Sequence, residues 1–304
     1  MVQSSKRPGQ GHVRLPASDR VYYAVTGVIL TVLFLLVLYP LVYILSASFS
    51  SPAAVSTGKV VLWPVDVSLR GYRAVFEYKT VGIGYRNTAF YTVAGTFINV
   101  VMTMICAYPL ARKTLPGRSW LMLLFSFTMI FSGGMIPTYI LMQRLSLLNT
   151  VWVMILPGAI SVTNMIIART FIVGIPSDLL EASQIDGCSD FMYFLKVVLP
   201  LSKAVLAVIA LYYAVGHWNA YFNAFLYLTN QKLFPLQLFL REVLVMNQVD
   251  PQMLIDPEMQ EAMQGMQDLL KYSLIVVATV PILCVYPFAQ RYFVQGVMIG
   301  SLKG

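Results

Sequence analysis

The sequence predicts an all-α, polytopic membrane protein with six transmembrane helices, and three observations carry that prediction. Only 11% of its 304 residues are charged while 58% are hydrophobic, against about 25% and ~45–50% in soluble domains. So few polar groups cannot cover a water-facing surface, which sets aside an ordinary soluble enzyme, a disordered chain and a disulfide scaffold. Six runs free of Asp, Glu, Lys and Arg are each long enough to cross the membrane as a helix, given ~30 Å of hydrocarbon and a rise of about 1.5 Å per residue. None alternates polar and apolar residues as a barrel strand must. In lipid the backbone must then satisfy its own hydrogen bonds, and a helix does so.

Residues 1–20 form a polar tail with Lys6, Arg7, Arg14 and Arg20 against one acid, Asp19; the membrane domain runs over 21–304. The first span, 21–46, exceeds the ~7–15 residues of a secretory signal core and follows a polar tail, so it reads as a signal anchor. The outer loop 47–86, with Pro52, Gly58, Pro64 and Gly71, reads as an irregular cap. Spans follow at 87–111, 119–143 and 145–168; the first two are joined by a tight basic connection holding Arg112, Lys113 and Arg118. A loop at 175–190 precedes the fifth span, whose uncharged run is 204–231 and whose helix starts near 197. A second outer loop, 232–271, leads to the sixth span, 272–290.

Basic residues beside spans mark the cytoplasmic side. The basic tail and the basic second connection therefore lie inside, and six crossings put both termini there. Lys59, Arg70, Arg73 and Lys79 are spread through a long outer loop and weigh less. Between Lys232 and Leu270 there are six acids and two bases, so the rest of the chain holds the basic excess behind the net +8. That excess serves topology and anionic headgroups; no basic soluble module exists to bind nucleic acid. Cys106, Cys188 and Cys284 are too scattered for a disulfide framework or metal site.

The loop 175–190 reads as two short helices around a turn. Ser177 is placed as an N-cap after Pro176, with Asp178 suiting the first turn's dipole. Gly187 supplies a left-handed stop, Ser189 and Asp190 cap the re-entering helix, and Pro200 should kink it. Such a hairpin either connects two spans or docks into a groove on a partner, with Glu181 and Asp186 at its rim; residue chemistry leaves both open.

The run Glu181-Ala182-Ser183, three residues, Gly187, nine residues, Val197-x-Leu199-Pro200 resembles the EAA loop of ABC importer permeases. That pattern reads Glu-Ala-Ala, three residues, Gly, nine residues, Ile-x-Leu-Pro; Ser183 and Val197 are the two departures, both mild in size. The resemblance extends from about residue 20 to the C-terminus, and the layout is similar to carbohydrate permeases of the maltose-transporter class. The stretch from Phe131 through Ser-Gly-Gly-Met-Ile-Pro-Thr to Tyr139 resembles the branch handling larger oligosaccharides, including the second permease of alginate importers.

The resemblance implies a type I permease fold in the bacterial inner (plasma) membrane. It implies a second permease completing the translocation path, two ATPase subunits holding ATP-Mg, and a periplasmic or lipoprotein substrate-binding protein. This chain, with no Walker-type phosphate loop, would bind no cofactor and catalyse nothing. Glu181, Ala182, Ser183, Asp186 and Gly187 would couple it to the ATPase. For the path, Asn219, Asn223 and Tyr227 recur every four residues and predict a polar stripe on one helix face. Gly216, Ala220 and Ala224 beside it suit close packing, and Trp218, Tyr221 and Tyr212 could stack on sugar rings. Asn164 and Arg86, next to Asn87, complete the path candidates; His217 reads as a packed histidine. Met259, Met263, Met266 and Leu270 would face one side of an outer helix, and 234–250 could reach a binding protein. Competing functions are a permease for smaller sugars, an ion-coupled transporter and a membrane enzyme. An ion-coupled transporter needs charged residues within spans, and an enzyme needs converging Asp, Glu and His; neither pattern is present.

Overall fold

The computed structural model describes residues 16–246 and 257–301, with the side chains of the last helix taken at 265–287. Helix α1 (Ala17–Ser48) is apolar on every side, and its membrane-crossing window has no buried residue. It joins the rest at its end, where Tyr43 meets Tyr272 edge-on at 5.7 Å and Ser48 Oγ lies 2.7 Å from Tyr72 Oη. Segment 47–78 is built around α2 (Pro52–Ser56) and α3 (Arg70–Glu77), both seated on the last helix. Ser51 caps α2 by accepting from Ala54 N.

Helix α4 (Lys79–Ala111) begins eight residues before the predicted span, and its first turns are buried at Val81, Gly84, Asn87 and Thr88. The third run is an elbow: α5 (Arg118–Ile130) and α6 (Met135–Arg144) meet at 113°. The bend falls on Phe131–Gly134, whose Ser132-Gly133-Gly134 stretch favours no helix. The fourth run, 145–168, is not one helix. Only α7 (Trp152–Ile155) and α8 (Val162–Val173) are helical, separated by a turn that holds Pro157 and Gly158. Proline there removes a backbone donor and crowds the preceding turn.

Helix α9 (Asp178–Ile185) is the short loop helix. After it come α10 (Asp190–Tyr193), a π-helical stretch at Phe194–Val198, and α11 (Leu199–Leu201). An 80° bend follows before α12 (Lys203–Trp218), so the kink expected from Pro200 is present, two residues on at Ser202. Helix α13 (Phe222–Tyr227) starts after a second break, and α14 (Leu236–Met246) and α15 (Pro257–Ser301) complete the bundle. Among the described residues three helices are long and apolar enough to cross a membrane, or five if each bent pair is one span. Residues 1–15, with Lys6, Arg7 and Arg14, lie outside the described residues, as do 247–256, which include the end of the partner-reaching segment 234–250.

Four buried clusters hold the described residues together, and two of them lie toward opposite ends of α4. The one at the α9 end packs Met104, Ala107, Met165, Ala168, Phe194 and Ile209 from α4, α8, the π-helical stretch and α12. The other, at the opposite end, joins Tyr91, Met142, Val153, Ala224 and Phe239.

Candidate functional site

Helix α9 hangs at the end of α8 as an exposed rod. Leu180, Ile175 and Cys188 pack on the core, while Leu179, Glu181, Ala182, Gln184, Asp186 and Gly187 face outward. Ile185 is 86% exposed, an apolar side chain with no cover in the described protein. Ser183 is half-buried and donates its hydroxyl to Leu180 O at 2.7 Å. It thus stays within its own helix, where the family pattern has alanine. Ser177 does not cap α9: its backbone is already helical and its hydroxyl donates to Asp178 Oδ1 instead. The C-terminus closes as the sequence suggests. Cys188 N donates to Ser183 O at 2.9 Å and Gly187 N to Gln184 O at 3.0 Å, the paired bonds of a Schellman stop, with Gly187 at φ 72. Ser189 then caps α10 through Met192 N.

The loop is tied to the end of α4. Arg112 pairs with Asp190 at 2.9 Å, and Tyr108 Oη donates to Asp190 O at 3.2 Å. The Arg112 guanidinium lies 5.8 Å from the Tyr108 ring centre, and Arg169 Nε donates to Leu110 O. Sequence reasoning gave Arg112 a topological role only; a lone basic residue beside a span carries no sign of its partner.

The predicted path stripe on span five does not exist as one face, because the helix breaks between α12 and α13. Asn219 sits in the break, donating to Val215 O at 2.9 Å and accepting from Gln237. Asn223 is exposed on α13, whereas Tyr227 is buried and stacks on Tyr139 at 6.1 Å. Trp218 donates to Ala278 O at 3.1 Å and packs edge-on with Tyr85. Tyr221 is exposed and set against Phe222; Tyr212 is also exposed. Ala220 and Ala224 pack into the opposite-end core, but Gly216 is exposed. Asn164 is buried in the first turn of α8, and Arg86 is exposed on α4. Asn87, beside it, donates to Lys232 O at 2.8 Å and Phe234 O at 3.0 Å, pinning the outer chain to α4.

The polar stripe of this bundle lies on α4 instead. Asn99 Nδ2 is 3.1 Å from His217 Nε2 and donates to Gly158 O at 3.2 Å. One turn further along, Thr103 Oγ1 is 2.6 Å from Tyr213 Oη, which accepts from Ser161 N at 2.8 Å. Thr88, Thr92, Thr96, Asn99 and Thr103 recur every three or four residues, a spacing visible in the sequence. Threonine breaks no apolar run, so a search for charged residues passes over it.

Long apolar helices and two sharply bent pairs fit a chain embedded in a membrane, with one exposed acidic-rimmed helix at the end of α8. Residues 80–299 match the model of the family described as binding-protein-dependent transport system inner membrane component, and the chain belongs to that family. It is 40% identical to the polygalacturonan/rhamnogalacturonan transport system permease protein YtcP of Bacillus subtilis (strain 168), over 89% of this chain and 94% of that one. To the protein LplC of the same strain it is 42% identical, over 87% and 89% of the two chains. It also superposes with TM-score 0.84 and 33% identity on a chain of a bacterial ABC transporter involved in the import of the acidic polysaccharide alginate. That match covers 92% of this chain and 99% of the other. The chain is therefore a non-catalytic permease of an ABC importer.

Proposed function

We propose that this chain forms, with a second permease, the path for an acidic oligo- or polysaccharide of the polyuronate class, delivered by a substrate-binding protein. With the six crossings and cytoplasmic termini that the sequence predicts, α9 lies inside, where a partner ATPase holding ATP-Mg takes its exposed face. Glu181, Ala182, Ser183, Asp186 and Gly187 make that contact.

The observation that carries the coupling role is α9 itself, stopped at Gly187 and fastened to α4 through Asp190 and Arg112. A push on its exposed face reaches two helices at once. The cargo reading is supported by likeness to a polygalacturonan/rhamnogalacturonan permease and an alginate importer. Both names carry polymers of acidic sugars. Asn219, Asn223, Tyr221 and Arg86, exposed in this chain, are the path candidates that keep free surface for a sugar.

The test is the complete importer in proteoliposomes, with ATP hydrolysis measured against alginate oligomers, polygalacturonate oligomers and neutral maltooligosaccharides. Stimulation by an acidic series alone is expected. Stimulation by the neutral series alone overturns the cargo assignment.

A further inference from the structure

Four buried side-chain oxygens lack a hydrogen-bond partner among the described residues: Thr92 Oγ1, Thr96 Oγ1, Asn99 Oδ1 and Ser202 Oγ. Buried polar groups are rarely left unpaired, and each such group calls for a reason. Three of them form a track on α4, whereas Ser202 stands apart, at the bend that opens α12.

The bonds that are made on this track have a register. Thr103 faces Tyr213 and Asn99 faces His217, consecutive turns of two antiparallel helices. Moving α12 along α4 by three or four residues, about 4.5–6 Å at 1.5 Å per residue, generates a second pair of contacts, while Thr103 and Ser161 N give up the Tyr213 hydroxyl. His217 then reaches Thr96, and the Tyr213 hydroxyl reaches the Asn99 oxygen that now lacks a donor. Gly95 leaves the surface open where His217 lies, since a Cβ there would overlap the imidazole. The rod that would move is bounded by breaks at both ends, Ser202 and Asn219–Tyr221, and joins the α9 loop through α10 and α11.

We propose that His217 is a positioning residue of the transport cycle, exchanging Asn99 for Thr96 as α12 shifts one turn along α4. The inference rests on the importer reading above. Thr92 continues the same row one turn beyond, and the spare oxygens of Thr96 and Asn99 are the partners of the second position.

Two measurements on the complete reconstituted importer test it. Thr96→Val removes a hydroxyl that is unpaired in the present register, so thermal stability of the complex should hold or rise. Uptake should nevertheless fall about fivefold, the equivalent of one exchanged hydrogen bond. A purely structural residue would not separate the two readouts. Separately, with Cys106, Cys188 and Cys284 replaced by alanine, Asn99→Cys/His217→Cys and Thr96→Cys/His217→Cys complexes are oxidised without nucleotide and after trapping with ATP and vanadate. The first pair should cross-link in one state and the second in the other. Unchanged uptake in Thr96→Val, or the same cross-linking pattern in both states, overturns the register exchange. Failure of the importer reading itself would show separately, as absent ATP-driven uptake by the unaltered complex.

Discussion

Replacing Gly187 should grade coupling by backbone conformation alone. The residue stands at φ 72, and nothing lies within 4 Å of where a Cβ would be. Steric clash with neighbours is therefore absent, and the cost of a side chain is the left-handed backbone itself, about 1–2 kcal/mol for an ordinary L-residue. Asparagine tolerates this region and should cost less. Proline cannot adopt it: its φ is fixed near −65°. It also removes the Gly187 N–H bond to Gln184 O, and it disfavours the helical geometry of Asp186. A loss of 1–2 kcal/mol is roughly a 5- to 30-fold change in the population with α9 correctly stopped. Coupled ATP hydrolysis and uptake in proteoliposomes should thus fall in the order Gly, Asn, Ala, Pro, while membrane insertion and pairing with the second permease persist. If Gly187→Pro kept full substrate-stimulated hydrolysis and uptake, or if Asn and Ala were indistinguishable, the conformational account would fail.

Ile185→Ser should leave the thermal stability of the permease within about 0.5 kcal/mol, as at other exposed sites, yet reduce ATPase retained on co-purification, because Ile185 is 86% exposed. Asp190→Ala should be mild, about 0.2–1 kcal/mol and smaller in high salt, since the Asp190 side chain is 68% exposed; uptake measured across ionic strength reads it. Asn87→Ala withdraws both bonds from the Lys232 and Phe234 carbonyls, at about 1–3 kcal/mol for buried groups left unpaired. It should appear as faster proteolysis of the outer segment. Tyr227→Ala should destabilise by roughly 3–5 kcal/mol like other large buried deletions, whereas Asn223→Ala should leave the melting temperature unchanged and alter only sugar-dependent hydrolysis.

The loop helix was legible in the sequence because its determinants are local. Gly187 and Ser189 end one helix and start the next through bonds within five residues. The membrane runs were legible as composition but not as continuous helices, since hydropathy counts apolar residues without asking whether the backbone stays helical. Two breaks did leave a trace, Gly133-Gly134 and Pro157-Gly158. The break at Asn219–Tyr221 left none, as it contains no helix-breaking residue and is set by packing on α14 and α15. The same blindness misplaced Tyr227: an aromatic facing a sugar path and one stacked on Tyr139 look alike in sequence. Ser177 misled for a related reason, because a capping residue needs extended backbone as well as a hydroxyl.

Helix α4 connects these results mechanically. At one end Tyr108 and Arg112 hold Asp190 behind the loop helix. In the middle Asn99 and Thr103 meet α12. At the far end Asn87, Thr88 and Tyr91 bind the chain at Lys232, Leu236 and Leu233. These far-end contacts are hydrogen bonds to or from backbone, two buried and two part-buried, so they fix position. The inner contact is an ion pair whose carboxylate is largely in solvent and can lengthen at low cost. Of the unpaired oxygens, those of Asn99 and Thr96 lie in the middle set, beside His217 and Tyr213. Movement of the loop helix can therefore be taken up between α4 and α12 without releasing the outer segment, and that division of stiffness follows from burial and pairing along this one helix.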